Sequence, residues 1–522
     1  MIRCRFFSLA LVFVVSASSL PAQNGAFDDG VRLLREGRFD QALIRLEEAH
    51  RLSPRDAAIE NLLGITQTQL GQRDKAALHY RNAIRLDPSL AAPHRNLGFN
   101  LLTAKEFGAA EPQLREASRL DPKDPFAHYY LFLLALATSH DTEALDQAPR
   151  AGNLIANDPD AQAGLIEAEI RVDRVDEAST NIKTMEAANQ LTPVREFAIA
   201  VLLSRAGFYG QAVGCFQRIA SLDPSWENRY NLALALLYDG KFSEASDLLS
   251  ALHNERPSNA DALMFLGSAL EMQEKIPEAL EAYRGAAIAD PSNPDRTLDY
   301  TRLLMDMDRY DEAIQFIQSG ITGTASSSTV KVRLGAVEMI KGDYTAAGEA
   351  FNAALADNPE LDVAYVGLAQ TYARQNNDTE AIAILEAARS KRPGRYLLEY
   401  YFGLLASRLG RDEEAIVALK RAAQLDPKSP DPSFQLGKLY GAKQDWPDAR
   451  KAFEHAVALN PQFAPAHYHL SQIYGRLGLH VESQHEAEQT RNLVTAQREE
   501  ALRKQREQAG SFQPQVATTP AP

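Results

Sequence analysis

One residue spacing constrains this chain more than any other feature of it. Ala42, Ala76, Ala110, Ala144, Ala178 and Ala212 stand 34 residues apart. A step of 33 leads to Ala245, and the spacing of 34 resumes through Ala279, Ala313, Ala347, Ala381, Ala415 and Ala449 to Ser483. Small residues run in phase twelve positions earlier, among them Gly30, Gly64, Gly98, Gly267, Gly335, Gly403 and Gly437. A third column lies seven positions later, from Ala49, Ala83 and Ala117 to Ala422 and Ala456. Prolines close most units, from Pro54 and Pro88 to Pro427 and Pro461, and stop one helix before the next begins. Inside a unit two helical patterns follow one another: Leu62, Leu63, Ile65 and Leu70 around Gly64, then Ala76, Tyr80 and Ala83 on one face. A helix pair this short cannot bury its own apolar face, so neighbours must stack. That excludes the string of independent compact domains which 522 residues would otherwise suggest.

These columns resemble the tetratricopeptide repeat, a helix pair per 34 residues with small residues at its positions 8, 20 and 27 and proline at 32. The resemblance covers residues 23–497 in fourteen units. It implies an all-α fold, an α-α superhelix (a TPR solenoid) of antiparallel helix pairs. Aromatic residues three before the central alanine, such as Phe39, Phe107, Tyr209, Phe242, Tyr310, Tyr344 and Trp446, read as packing residues. Pro277 and Pro447 fall in the first turn of a second helix, where proline is tolerated. Glu482–Gln508 reads as a polar helix that covers the last apolar face, and Ser511–Pro522 as a disordered Pro/Thr/Ala-rich tail.

The pattern departs from itself in three places. Phe132 and Ile166 occupy the small position of units four and five, and Met185 replaces the third-column alanine. Pro149 lies inside the expected second helix of unit four and should break or shorten it. Unit nine ends in Ser319–Thr329, a run without helix preference that reads as a hinge or a distorted stacking joint. The expected organisation is therefore a signal peptide at 1–22, then repeats 1–3 at 23–124, repeats 4–9 at 125–325 and repeats 10–14 at 326–497, with the end of the polar helix and a tail at 498–522.

Charge and the first residues bear on location. Arg3 and Arg5 precede an apolar run from Phe6 to Val15, and Leu20-Pro21-Ala22 offers a cleavage site before Gln23. The run is short for a spanning helix, so the expectation is an exported protein, periplasmic or secreted, with retention as an anchor as the alternative. With 55 Lys and Arg against 69 Asp and Glu, the net charge of −14 leaves no basic excess for a phosphate backbone, and nucleic acid is excluded as a partner. The 2 cysteines exclude a disulfide scaffold, and Cys215 beside Phe216 reads as a buried, inert thiol.

No phosphate loop, H-E-x-x-H, calcium loop or G-x-S-x-G elbow is present. His455, His467, His469, His480 and His485 crowd the last units. His467 and His469, two apart on one helix, point to different sides, so neither a metal nor another cofactor is expected. The resemblance implies instead that positions 2, 5, 9, 12 and 13 of each first helix face a ligand. At position 5 stand Phe27, Asn61, Arg95, Tyr129, Ala163, Phe197, Tyr230, Met264, Leu298, Val332, Val366, Tyr400, Phe434 and Tyr468. At position 13 stand Arg35, Arg171, Arg205, Arg374, Arg408 and Arg476, and Asn96 and Asn231 hold the column of the asparagine ladder. Position 5 also packs repeat on repeat, and an arginine before the inter-helix turn also answers the helix dipole, so both readings of each row stand. The family's carboxylate clamp and its full asparagine ladder are missing. The reading is an exported, non-enzymatic scaffold that binds a protein or peptide partner in bacterial envelope assembly or secretion. The alternative is a polysaccharide-handling component whose aromatic row stacks on sugars.

Overall fold

A computed structural model describes residues 25–321 and 327–510, with side chains to residue 499. The expected signal peptide at 1–22, the expected tail at 511–522 and the centre of the Ser319–Thr329 run lie outside the described residues. Every element among the described residues is a helix, and apart from the short Asn153–Ala156 the helices fall into fourteen antiparallel pairs. Each pair occupies one 34-residue unit, so the fold is the all-α solenoid that the period implies. The chain divides into two compact parts, Met1–Pro257 with Met272–Glu274 and Ser258–Glu271 with Lys275–Pro522. Repeats 1–7 belong to the first part and repeats 8–14 to the second.

Within each part most neighbouring first helices touch one another directly, as Ala57–Gln69 and Ala91–Thr103 do. A first helix is thus pressed by its own second helix, by the preceding one and by its neighbours in the row. Repeat 2 shows the result: Ala57–Gln69 buries eight residues, whereas Arg73–Leu86 buries only Ala76, Ala77, Tyr80 and Ala83. The small columns set the approach between the two helices of a pair. A Cβ placed on Gly98 would stand 2.5 Å from Leu114 Cδ2, and one on Gly437 would stand 2.7 Å from the Phe453 ring. A bulky residue of the second helix therefore occupies the space that the glycine leaves.

Two local devices begin and end the first helices. Asp56, Asp124, Asp158 and Asn293 cap them through side-chain oxygens that accept backbone N–H donors. At the other end every repeat turns through a residue of positive φ at its fifteenth position. Gly71 (φ 75°) and Gly410 (φ 72°) illustrate the easy half of this column, and Lys105 (φ 64°) and Glu274 (φ 59°) the other half. The next residue closes the turn by donating back to the first helix, as Gln72 N does to Gln67 O at 2.8 Å, the bond of a Schellman motif.

Repeats 4 and 5 keep the architecture by other means. Phe132 is fully buried with Ala144, Ala151, Ile155 and Ala161, and Ala148 of the second helix packs against that cluster. Ala148 stands sixteen residues after Phe132, the offset that places Phe453 after Gly437, so repeat 4 reverses the large and small partners. In repeat 5 the small residue has moved to Gly164, where a Cβ would meet Leu136 of repeat 4 at 2.5 Å. Pro149 is accommodated near the end of Asp141–Ala151; the break itself falls at Gly152 (φ 56°), followed by a short turn of helix, Asn153–Ala156. Around the Ser319–Thr329 run, Tyr310–Ile321 remains helical through Ser319 and Gly320, and Ser328–Lys341 begins at a cap from Ser327 Oγ to Thr329 N. Helix thus reaches further into this run from both sides than the composition suggests.

The last helix, His480–Gly510, covers the end of the second part. Ser483 Oγ donates to Ser471 O at 2.8 Å, and the two nitrogens of buried His467 face Glu486 Oε2 at 2.5 Å and Pro461 O at 3.0 Å. His467 is thereby a packing residue of the final junction.

Candidate functional site

Because first helices lie side by side within each part, residues at one repeat position form a row along that face. The structure separates the position-5 row into buried and open members. In the first part Tyr129 is 2% exposed and its hydroxyl donates to Asp158 Oδ2 at 2.5 Å. Tyr230 is half-buried, stacked on Trp226 with ring centroids 4.8 Å apart, and Asn231 beside it is half-buried too. Phe27 packs, half-buried, against the N-terminal core. Phe197 remains 38% exposed, with Val194 on the same helix 81% exposed.

Polar members of this part bind one another. Arg95 Nη1 reaches Asp124 at 2.8 Å, its guanidinium also donates to Asn96 Oδ1, and Asn96 Nδ2 donates to Asn61 Oδ1 at 3.0 Å. Phe99 stacks on Tyr130 at 4.5 Å beside this network. Burial pushes the Tyr130 hydroxyl up to about 12.

In the second part Tyr400 stacks on Tyr396 (5.8 Å) and meets the edge of Tyr401, and burial again pushes its hydroxyl up to about 12. Phe434 lies among Phe453, Phe463 and His469 with centroids 4.9 to 5.8 Å away. Burial, reinforced by Lys438, holds His469 below the usual imidazole range. Met264 is half-buried and Tyr468 is 49% exposed. Phe434 and Tyr129 are thus enclosed by neighbouring side chains, whereas Phe197 and Tyr468 keep exposed ring surface.

The position-13 arginines also divide. Arg171 pairs with Asp141 at 3.2 Å and with Glu167 at 3.0 Å, and Arg408 pairs with Asp378. Asp141 and Asp378 are the first residues of the preceding repeat's second helix, so these are ties between repeats. Such exposed pairs contribute about 0–1 kcal/mol each. Arg35, Arg205 and Arg374 are exposed and make no side-chain bond or ion pair with a described residue. Arg476 lies over the Trp446 ring at 6.0 Å. Cys215 is 2% exposed, and burial pushes its thiol up to about 11.

The adjacent column, position 6, holds more than the asparagines Asn96 and Asn231. It carries Tyr130 in the first part and Arg333, Tyr401 and His469 in the second, and the period of 34 is the signal that marks them. Among the described residues no group of three or more His, Cys, Asp or Glu side chains is arranged to hold a metal ion.

Family models described as tetratricopeptide repeat match residues 27–91, 230–294 and 434–489, and residues 270–322 and 338–406; a model described as TPR repeat matches 408–444. Among curated proteins, cellulose synthase operon protein C of Pseudomonas fluorescens (strain SBW25) is 23% identical over 190 residues, 35% of this chain and 15% of that protein. BBSome complex member BBS4 of Xenopus tropicalis is 33% identical over 103 residues, 19% of this chain and 20% of that one. The chain thus matches a fifth or less of either relative's length. Among solved structures, a tetratricopeptide repeat protein from Parabacteroides merdae ATCC 43184 is 18% identical with a TM-score of 0.38, covering 48% of this chain and 98% of that one. Yeast Tom70 is 15% identical with a TM-score of 0.35, covering 84% and 95%.

Proposed function

Because the chain belongs to the tetratricopeptide repeat family, we propose that it is a scaffold that binds a protein or peptide partner along its first-helix face, with no catalytic role of its own. The observation that carries this reading is the aromatic surface left open on that face, Phe197 at 38% and Tyr468 at 49% exposure. Large apolar side chains held at the surface on rigid helices are what a partner's apolar residues seek. A photo-crosslinking residue at Phe197 or Tyr468 should capture a partner protein in the native host. The same residue at Leu78, exposed on a second helix, should not. Equal capture at all three positions would overturn the reading.

The process we propose is bacterial envelope assembly or secretion, by an exported protein. Export rests on Arg3, Arg5, the apolar run after them and Leu20-Pro21-Ala22. No described helix is long and apolar enough to cross a membrane. N-terminal sequencing of protein recovered from the periplasm or medium should start at or near Gln23; protein that retains Arg3 in the cytoplasmic fraction would remove this part. A second reading, contact of the aromatic rows with polysaccharide, draws on the likeness to cellulose synthase operon protein C. Titration with cello-oligosaccharides decides it: saturable binding lost in Tyr468→Ser would favour sugars over peptide.

A further inference from the structure

Among the described residues Arg333, at position 6 of repeat 10, is a cation with no anion paired to it. It is half-buried, and its one side-chain bond among the described residues runs from Nη1 to Met305 Sδ at 3.6 Å. A thioether is a weak acceptor, and a guanidinium keeps its charge and five N–H donors under all ordinary conditions. Its neighbour Arg302, one repeat earlier on the same face, is differently placed. Arg302 donates to both oxygens of Glu271 at 2.9 and 2.7 Å and to Asp306 at 3.1 Å, so that pairing is complete. Burial holds Arg333 below the ordinary guanidinium range and the charge of Arg302 acts in the same direction, while Asp306 and Asp299 oppose it without forming an ion pair.

The surface around this cation has a distinct composition. Of the 7 methionines in the chain, Met264, Met305 and Met339 lie half-buried on the first helices of repeats 8–10. Met264 and Met305 pack against one core cluster, and Met339 packs with Val332 against the next. Unbranched, polarizable side chains at such places adapt to apolar partners of varied shape.

We propose that the first-helix face of repeats 8–10 docks an amphipathic peptide segment of a partner, one acidic side chain of which pairs with Arg333 while its apolar side chains lie on Met305 and Met339. This rests on the reading of that face as peptide-binding and adds to it the partner's charge at one point. A carboxylate satisfies the planar fork that Met305 cannot, and in a half-desolvated site such a bond is stronger than in water. The chain as a whole is acidic, so preference for an acid must come from this site and not from long-range attraction.

The test uses the full chain labelled with ¹³C at the methionine methyls, and three synthetic amphipathic helical peptides that differ only in carrying Glu, Gln or Lys at one edge of a common apolar face. The Glu peptide should bind roughly tenfold more tightly than the Gln peptide by fluorescence anisotropy, the size expected for one charge-assisted bond. It should shift the Met305 and Met339 methyl signals and leave that of Met185 in place. Arg333→Gln, which should melt as the wild type does, should abolish the difference between Glu and Gln peptides, and Arg333→Lys should keep part of it. Equal affinity for the Glu and Gln peptides overturns the proposal, as does a preference that survives Arg333→Gln. Binding that leaves Met305 and Met339 unmoved overturns this site alone, because partner capture at Phe197 or Tyr468 would still support the wider reading.

Discussion

Repeat 13 sets Gly437 on its first helix against Phe453 on its second. Repeat 4 sets Phe132 where that glycine stands and Ala148 where that phenylalanine stands. Both junctions are filled, because close packing depends on the volume the two side chains share and not on which helix supplies it. The difference teaches that a repeat can lose its signature residue and keep its helix pair, provided the partner position changes with it. The second helix of repeat 4 also ends early: Ala148 and Pro149 lie near the end of Asp141–Ala151, and the chain then bends at Gly152.

The comparison breaks most readily at Phe132. Phe132→Ala should cost about 3–5 kcal/mol in chemical denaturation, since nothing else fills the site. Phe132→Ala combined with Ala148→Phe should lose less than the two single changes together, with a coupling of about 0.5–3 kcal/mol. A double variant no better than additive would mean that the two positions do not share one volume.

In repeat 13 the corresponding error is excess volume. Gly437→Ala should cost about 1–3 kcal/mol, because the added Cβ meets the ring of a phenylalanine only 1% exposed. Gly108→Ala, on a second helix with nothing within 4 Å of the added atom, should be neutral or stabilising by up to about 1 kcal/mol. Equal losses at both glycines, read from urea midpoints, would remove close approach as the cause.

A smaller effect separates the turns. Gly410→Ala should destabilise by about 1 kcal/mol, since a Cβ is disfavoured at positive φ. Lys105→Gly, at the same turn of repeat 3, should be close to neutral, as relief of that conformation offsets the greater freedom glycine gives the unfolded chain. Thermal midpoints of the two variants check the pair; a loss at Lys105 as large as at Gly410 would contradict it.

The smallest effect depends on pH. Repeat 5 buries Glu169, whose carboxylate accepts from Asn181 at 2.8 and 3.0 Å, where repeat 13 carries Tyr440. Burial raises the Glu169 carboxyl above its ordinary 4.5, so the folded chain holds this proton to higher pH than the unfolded chain does. Its contribution is therefore fully present below about 4.5 and declines as pH rises through the folded value. The melting temperature of wild type minus that of Glu169→Gln should become more positive from pH 7.5 to pH 5; the opposite slope would mean that hydrogen bonding, not burial, controls this carboxyl.

How far each of these features could be read in advance follows from its physical origin. The helix pairs were legible because sterics at Ala76, Ala110 and their equivalents must be met in every repeat, so the requirement is written fourteen times in one phase. The inverted pair of repeat 4 was not, because the period marks Phe132 as an exception without showing that Ala148 compensates it across the helix junction. Half of the left-handed turns were hidden for a related reason: Gly71 and Gly410 advertise the conformation, but Lys105 and Glu274 adopt it under the constraint of two packed helices.

The candidate face divides in the same way. The period alone determined that Phe197 and Tyr230 in the first part, and Tyr400, Phe434 and Tyr468 in the second, hold one register, since equal spacing on equal helices places the members of each part in a row. Only the tertiary structure decided which of them remain open, which of the arginines are already paired, and that Arg333 is left facing a thioether. Register is a local, repeated property of the backbone. Exposure and pairing depend on the particular side chains that each neighbouring helix brings to the junction, and those differ from one repeat to the next.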